Sequence, residues 1–287
     1  MNIERIQYLD LAKCIAIILV CIGHSYNFLH DFSSSVKPVI YSFHMSLFMM
    51  MCGFFAGSSL KMPWKSFLIK KSKQLVIPAI SASLLLSLVV LLTGRGSVPA
   101  EIYGGVWFLK ALFLCFVIVY ISKRLFHNDY LACVVSSSVM LLIPYGGSLM
   151  VNYYLLFFWA GHFLKKYYQT YDAHSSVITI VASATFAIMI LTGQAHAVEK
   201  VTLSTLMDTP ILFLSELVCG LSGSLLVLGV CKFLSQKLHE LSLINFLSST
   251  GKYTLGIYVV QTFILEQLSE SKWVALSVNT PPLSLTQ

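Results

Sequence analysis

Four ionisable side chains stand inside the first two apolar stretches, where a charge is costly and by default marks a functional site. They are Asp10, Lys13 and His24 in YLDLAKCIAIILVCIGHS, and His44 in FHMSLFMMMCGFF. On a helix that advances about 100° per residue, Lys13 falls at about 300° and His24 at about 320° from Asp10, so the three share one face. Asp10 and Lys13 are i,i+3 neighbours and can pair. His24 lies about 16 Å further along the axis than Lys13, so one face carries a polar stripe through the bilayer and a cavity along it is expected. His24 and His44 lie at comparable depths on antiparallel segments and can face each other. A neutral imidazole there can take the proton of an alcohol, hold a developing oxyanion or carry an acyl group covalently. The same residue types also make proton relays, and a lone intramembrane His is often an interhelical hydrogen-bonding group. The spacing leaves these open.

The elements that must position these groups are transmembrane helices. The 287 residues are 57% hydrophobic and 11% charged, with mean hydropathy +0.79. Soluble domains carry about 25% charge, so too few charges remain here to cover a soluble surface, and disorder is excluded by the same figures. A span needs roughly 20 mostly apolar residues. Nine candidates follow: 8–28, 38–58, 74–93, 106–122, 130–146, 151–164, 175–193, 210–231 and 250–268. The apolar segment 238–249 is too short to span and reads as interfacial. The expected architecture is all-α, a polytopic membrane helical bundle of about nine to ten transmembrane helices, in a single domain over 1–287. The first apolar run lacks a small-residue cleavage site and reads as a retained first helix.

With the N-terminus in the cytoplasm, the cytoplasmic segments hold Arg5, the five lysines of 61–73, Lys123, Arg124, Lys165, Lys166, Lys232, Lys237 and Lys252. The outer ones hold Lys37, Arg95, Lys200 and Lys272. That bias sets the orientation. The basic clusters are short and lie between apolar runs, which argues against nucleic acid as a partner. The segment KMPWKSFLIKKSK at 61–73, with Lys70 and Lys71, reads as a basic amphipathic helix on an anionic membrane surface. It is either a topogenic cluster or a grip on an anionic cytoplasmic ligand. Lys110, in GGVWFLKALFL, either meets a ligand or snorkels to the interface. Glu216 either orients a histidine or makes a structural hydrogen bond. Trp107 either lines a cavity or belongs to an interfacial belt. The seven cysteines lie in apolar stretches without metal-ligand spacing, so no metal is implied.

These pieces, in order, resemble acyltransferase family 3, the integral-membrane O-acyltransferases, and in particular its fucose 4-O-acetylase-like branch. YLDLAKCIAIILVCIGHS is similar to the family's first helix, with its basic residue at Lys13 and its histidine at His24. FHMSLFMMMCGFFAG is similar to the second-helix signature, with His44 and Gly53 at the histidine and glycine positions. KKSKQLVIPAI resembles the basic segment that leads to a proline, here Pro78. GGVWFLKALFL matches the Trp–Phe–Leu opening of a later helix, and GKYTLGIYVVQ a late Gly–x–Tyr–Ser–Leu–x–Ile–Tyr segment. Where that segment commonly ends in His, this chain has Gln261, so one titratable group is gone. Family members typically have about ten spans, whereas this chain closes soon after the ninth in SVNTPPLSLTQ.

The resemblance implies acyl transfer, most often of acetyl from acetyl-CoA, to a hydroxyl of an envelope sugar or lipid-linked glycan, at the bacterial cytoplasmic (inner) membrane. It implies His24 as general base or acyl carrier, His44 as its orienting or oxyanion-holding partner, Lys13 on the donor and Asp10 on Lys13. The acyl-CoA is a substrate, and no bound cofactor is expected. The rival readings are a proton-coupled transporter or flippase, against which stands the lack of two related halves, and a non-catalytic family member.

Overall fold

The computed structural model describes residues 7–28, 35–93, 97–143, 149–198, 201–238 and 241–266. Among these residues the chain is helical, without strands. Lipid offers no hydrogen-bond partners, so each backbone that enters it must satisfy its own N–H and C=O groups within a helix. In chain order the helices are α1 (Gln7–Phe28), α2 (Val36–Tyr41), α3 (His44–Phe54), α4 (Gly57–Leu60) and α5 (Trp64–Lys71). A π-helical turn, Ser72–Val76, joins α5 to α6 (Ile77–Thr93). There follow α7 (Val98–Tyr103), α8 (Trp107–Leu125), α9 (Asp129–Leu142), α10 (Val151–Lys166), α11 (Tyr168–Ala173) and α12 (Ser175–Leu191). The last are α13 (Leu203–Asp208), α14 (Pro210–Lys237), α15 (Ser242–Thr250) and α16 (Thr254–Gln261), the last of these running into a π-helical turn, Thr262–Glu266.

Four stretches are long and apolar enough to cross a membrane: Gln7–Tyr26, Trp64–Leu92, Val98–Leu125 and Pro210–Lys237. Asp129–Leu142, Ser175–Leu191 and Thr254–Leu265 are apolar but shorter. The protein is a multi-pass helical membrane protein. The tail SVNTPPLSLTQ, Arg5, His30, Arg95, Lys200, His239 and Lys272 lie outside the described residues.

Two predicted segments fold otherwise than expected. The stretch 38–58 is not one helix but three, broken at Ser42–Phe43 and again at Phe55–Ala56. At the first break Phe43 leaves helical geometry, with φ −140°, and the chain re-enters a helix at His44. The basic stretch 61–73 does form a helix, but α5 runs on through the π-turn into α6. Phe67 packs inward, its ring stacked 4.3 Å from that of Tyr120 on α8, while Trp64 stays exposed. Pro78 has no N–H for the carbonyl four residues back, at Gln74, and its ring crowds that carbonyl. The wider π-turn sits where that conflict falls.

Backbone contact at glycine organises the bundle. α10 lies along α3, α12 along α14, and α1 along α14 and α15. Gly53 on α3 faces the carbonyl of Phe158, where an added Cβ would come within 1.9 Å of the oxygen. Gly161 on α10 faces the carbonyl of Met50, where the corresponding approach is 1.8 Å. Without a hydrophobic drive between helices in lipid, such close van der Waals approach at small residues supplies the association. A third contact sets Gly251, between α15 and α16, against the carbonyl oxygen of Asp10 on α1, 2.0 Å from where a Cβ would lie.

Candidate active site

The lower half of the stripe on α1 is formed as expected. Lys13 Nζ donates to Asp10 Oδ1 at 3.1 Å and stands 4.1 Å from the centre of the Phe55 ring. Both residues line a cavity of about 620 Å³. Its opposite walls bring in Lys71, Lys73 and Gln74 from the α5–α6 region, and Lys252 from the α15–α16 turn. Lys71 packs its ammonium 3.6 Å from the ring centre of Phe116 on α8, another wall residue. Four lysines and one carboxylate thus face one space, which suits a ligand with several negative charges. Pro78 lines the same space.

A second, smaller space adjoins the cavity. Phe48, Cys52 and Leu112 border both the cavity and an apolar slot of about 70 Å³, which continues to Met45, Phe108 and Tyr258. His24 lines neither of these two spaces.

The two histidines are brought together around one ring. Tyr41 lies with its ring centre 6.0 Å from that of His24 and 5.0 Å from that of His44. Gly23, beside His24, leaves room for that tyrosine, since a Cβ there would come within 2.8 Å of Tyr41 Cε2. His44 is buried, at 3% exposure, and its Nδ1 lies 2.7 Å from the carbonyl oxygen of Ile40. A carbonyl only accepts, so Nδ1 carries the hydrogen and the neutral ring presents Nε2 as a lone pair. The break at Ser42–Phe43 provides this bond, since the imidazole meets the carbonyl that an unbroken helix would use. His24 is half-buried.

The other predicted residues are placed apart from the cavity. Lys110 donates to the carbonyls of Ile102 at 2.6 Å and Gly105 at 2.7 Å, so its ammonium closes the end of α7. Trp107 packs against Tyr154, with ring centres 5.5 Å apart. Glu216 is buried, and its backbone carbonyl accepts from the Tyr153 hydroxyl at 2.9 Å. Lys70 is half-buried outside the cavity lining, while its neighbour Lys71 is inside it. Gln261 is buried and donates from Nε2 to Thr262 Oγ1 at 2.9 Å.

Sequence reasoning held Lys73 only within the basic segment 61–73 and missed Gln74 and Lys252. Lys73 and Gln74 depend on a π-turn, and a π-bulge in a helix often marks a functional position; the proline at 78 was the available signal. Lys252 depends on the contact of Gly251 with Asp10, which no local pattern announces. Among the described residues no three His, Cys, Asp or Glu side chains gather as a metal site.

No curated protein and no solved structure matches the chain. Residues 6–285, nearly the whole length, match a family model described as an acyltransferase domain, and the chain belongs to acyltransferase family 3.

Proposed function

We propose that this membrane acyltransferase moves a short acyl group, acetyl in the first instance, from cytoplasmic acyl-CoA to a hydroxyl of an envelope sugar or lipid-linked glycan. The observation that supports the reading is the convergence of Lys13, Lys71, Lys73 and Lys252 on one cavity that shares Phe48, Cys52 and Leu112 with an apolar slot. Acyl-CoA has the same polarity, with phosphates at one end and an uncharged thioester at the other. The N-terminus lies in the cytoplasm in this reading, which puts the lysines on the donor's side and the histidines towards the acceptor.

The acceptor hydroxyl is a weak nucleophile while it holds its proton. In the proposed step its oxygen attacks the thioester carbonyl while His24, the more accessible imidazole, takes the hydroxyl proton. An ester C–O bond forms, the C–S bond breaks, and His24 returns the proton to the departing CoA thiolate. His44 in its neutral form has committed its N–H to Ile40, so it orients His24 through Tyr41 and does not hold the oxyanion. Asp10 holds Lys13 at the cavity wall. Lipid surrounds the bundle as solvent, and the acceptor arrives from the histidine side.

The test is mass spectrometry of surface glycans from cells that express the wild-type chain or His24→Ala at equal membrane levels. The expected result is a glycan mass increment of one acyl group with the wild type only. An undiminished increment with His24→Ala removes this mechanism.

A further inference from the structure

The apolar slot has a size that the donor's acyl group must meet. It measures about 70 Å³, about half of an apolar cavity of ~150 Å³ that holds a six-carbon benzene ring. Its walls come from three helices: Met45, Phe48 and Cys52 on α3, Phe108 and Leu112 on α8, and Tyr258 on α16, with Thr254 and the exposed Leu255 of α16 on the side shared with the lysine cavity. Most of these are anchored in the core. Met45, Phe108 and Leu112 are each at most 5% exposed, and Phe108 meets both Phe48 and Tyr258 through ring contacts at 5.8 and 5.7 Å. An interior packed in this way does not yield room for a longer chain without strain.

We propose that this slot is the acyl-measuring chamber of the enzyme, with Met45 and Phe108 as the residues that set the accepted chain length. The inference rests on the acyl-CoA reading above and goes beyond it by assigning chain-length choice to named side chains. Both residues border the slot and not the lysine cavity, so they sense the acyl group and not the nucleotide. With a CoA donor anchored at the lysines, its acyl end enters between Phe48 and Cys52 and stops at Met45. Acyl groups of two to about four carbons fit the volume, while six carbons do not. One methylene too many for a pocket changes selectivity by roughly 10- to 200-fold.

The experiment measures binding of free CoA, acetyl-CoA, butyryl-CoA and hexanoyl-CoA to the full chain in detergent, each as a Kd, and reads the ratio of hexanoyl to acetyl. The wild type is expected to bind hexanoyl-CoA at least about tenfold more weakly than acetyl-CoA. Met45→Ala and, as a milder change, Phe108→Leu are expected to reduce that ratio several-fold. Met45→Phe is expected to extend the discrimination to butyryl-CoA. Equal wild-type affinities for acetyl- and hexanoyl-CoA, or a ratio that none of the three variants moves beyond twofold, overturn the chamber while tight CoA binding keeps the donor reading. Failure of all four ligands to bind overturns the donor reading and the chamber with it.

Discussion

His44 Nδ1 and the carbonyl oxygen of Ile40 are 2.7 Å apart across a break in the helix. The bond fixes which ring nitrogen carries the hydrogen, and that makes two isosteres unequal. Asn places its amide N–H near the position of Nδ1, whereas Gln places its own near Nε2. His44→Asn is expected to keep the bond to Ile40 and the thermal stability while it lowers acyl transfer, by less than the roughly 10²–10⁴-fold expected for loss of the acid–base group His24, because the ring that orients His24 through Tyr41 is gone. His44→Gln is expected to lower melting temperature as well, because the Ile40 carbonyl is left without its imidazole partner. Melting curves beside glycan acylation separate the two.

Gly251 allows a sharp contrast in stability. Its φ of −55° is one that any residue adopts, so a conformational argument would make Gly251→Ala harmless. The added Cβ would nevertheless sit 2.0 Å from the Asp10 carbonyl oxygen, and overpacking against backbone costs about 1–3 kcal/mol or more. Gly256→Ala, inside α16 with nothing within 4 Å of the new carbon, is expected to add about 0.5–1 kcal/mol. Thermal melting of the two variants in the same detergent should move in opposite directions. Gly251→Ala should also weaken CoA binding, since it pushes Lys252 away from the cavity.

Lys252 and Lys110 give a second contrast. Lys252→Gln removes a cavity charge and is expected to weaken CoA binding by roughly 10- to 150-fold, in line with about 1.5–3 kcal/mol for a hydrogen bond to a charged group. Lys110→Gln loses the clamp on Ile102 and Gly105, so its expected effect is a lower melting temperature. Titration with CoA at low and high salt checks the first, because charge-based affinity falls with ionic strength.

Asp129 sets an acid limit. Partial burial alone would raise its pKa, but hydrogen bonds from Lys123 at 2.5 Å and Lys166 at 3.1 Å hold it down, to about 2. A carboxyl depressed below its ordinary value of 3.8 stabilises the fold fully above that value and loses its contribution as pH falls through about 2. Melting temperature should therefore drop between pH 4 and about 2 more steeply in the wild type than in Asp129→Asn, which lacks the titrating group. Equal slopes would remove Asp129 as the cause.

The α1 face was legible in the sequence because helical angles follow from counting, and Asp10 and Lys13 do line the cavity. The depth match of His24 with His44 followed from the same counting. The cavity position of Lys73 and Gln74 escaped because a π-turn adds a residue to the cycle and rotates everything beyond it. Lys252 escaped because it is delivered by a tertiary glycine contact. For Lys110 the sequence leaves a ligand contact and snorkelling open, and its carbonyl partners Ile102, Tyr103 and Gly105 belong to its own approach turn. The break that turns the Ile40 carbonyl to the Phe43 N–H and the His44 imidazole was hidden as well, since Ser42 and Phe43 carry no helix-stopping signature.

The reciprocal crossing of Gly53 and Gly161 constrains how a substrate gets in. Two main chains that touch at both glycines have no slack to slide or spread, so α3 and α10 behave as a single fixed post. Under the proposed function, any widening of the lysine cavity falls to the walls around that post, the continuous α5–α6 stretch that carries Lys71 and Lys73 on one flank and the α15–α16 turn on the other. Gly251 pins that turn to the Asp10 carbonyl, so the flank that carries Lys252 moves only together with α1.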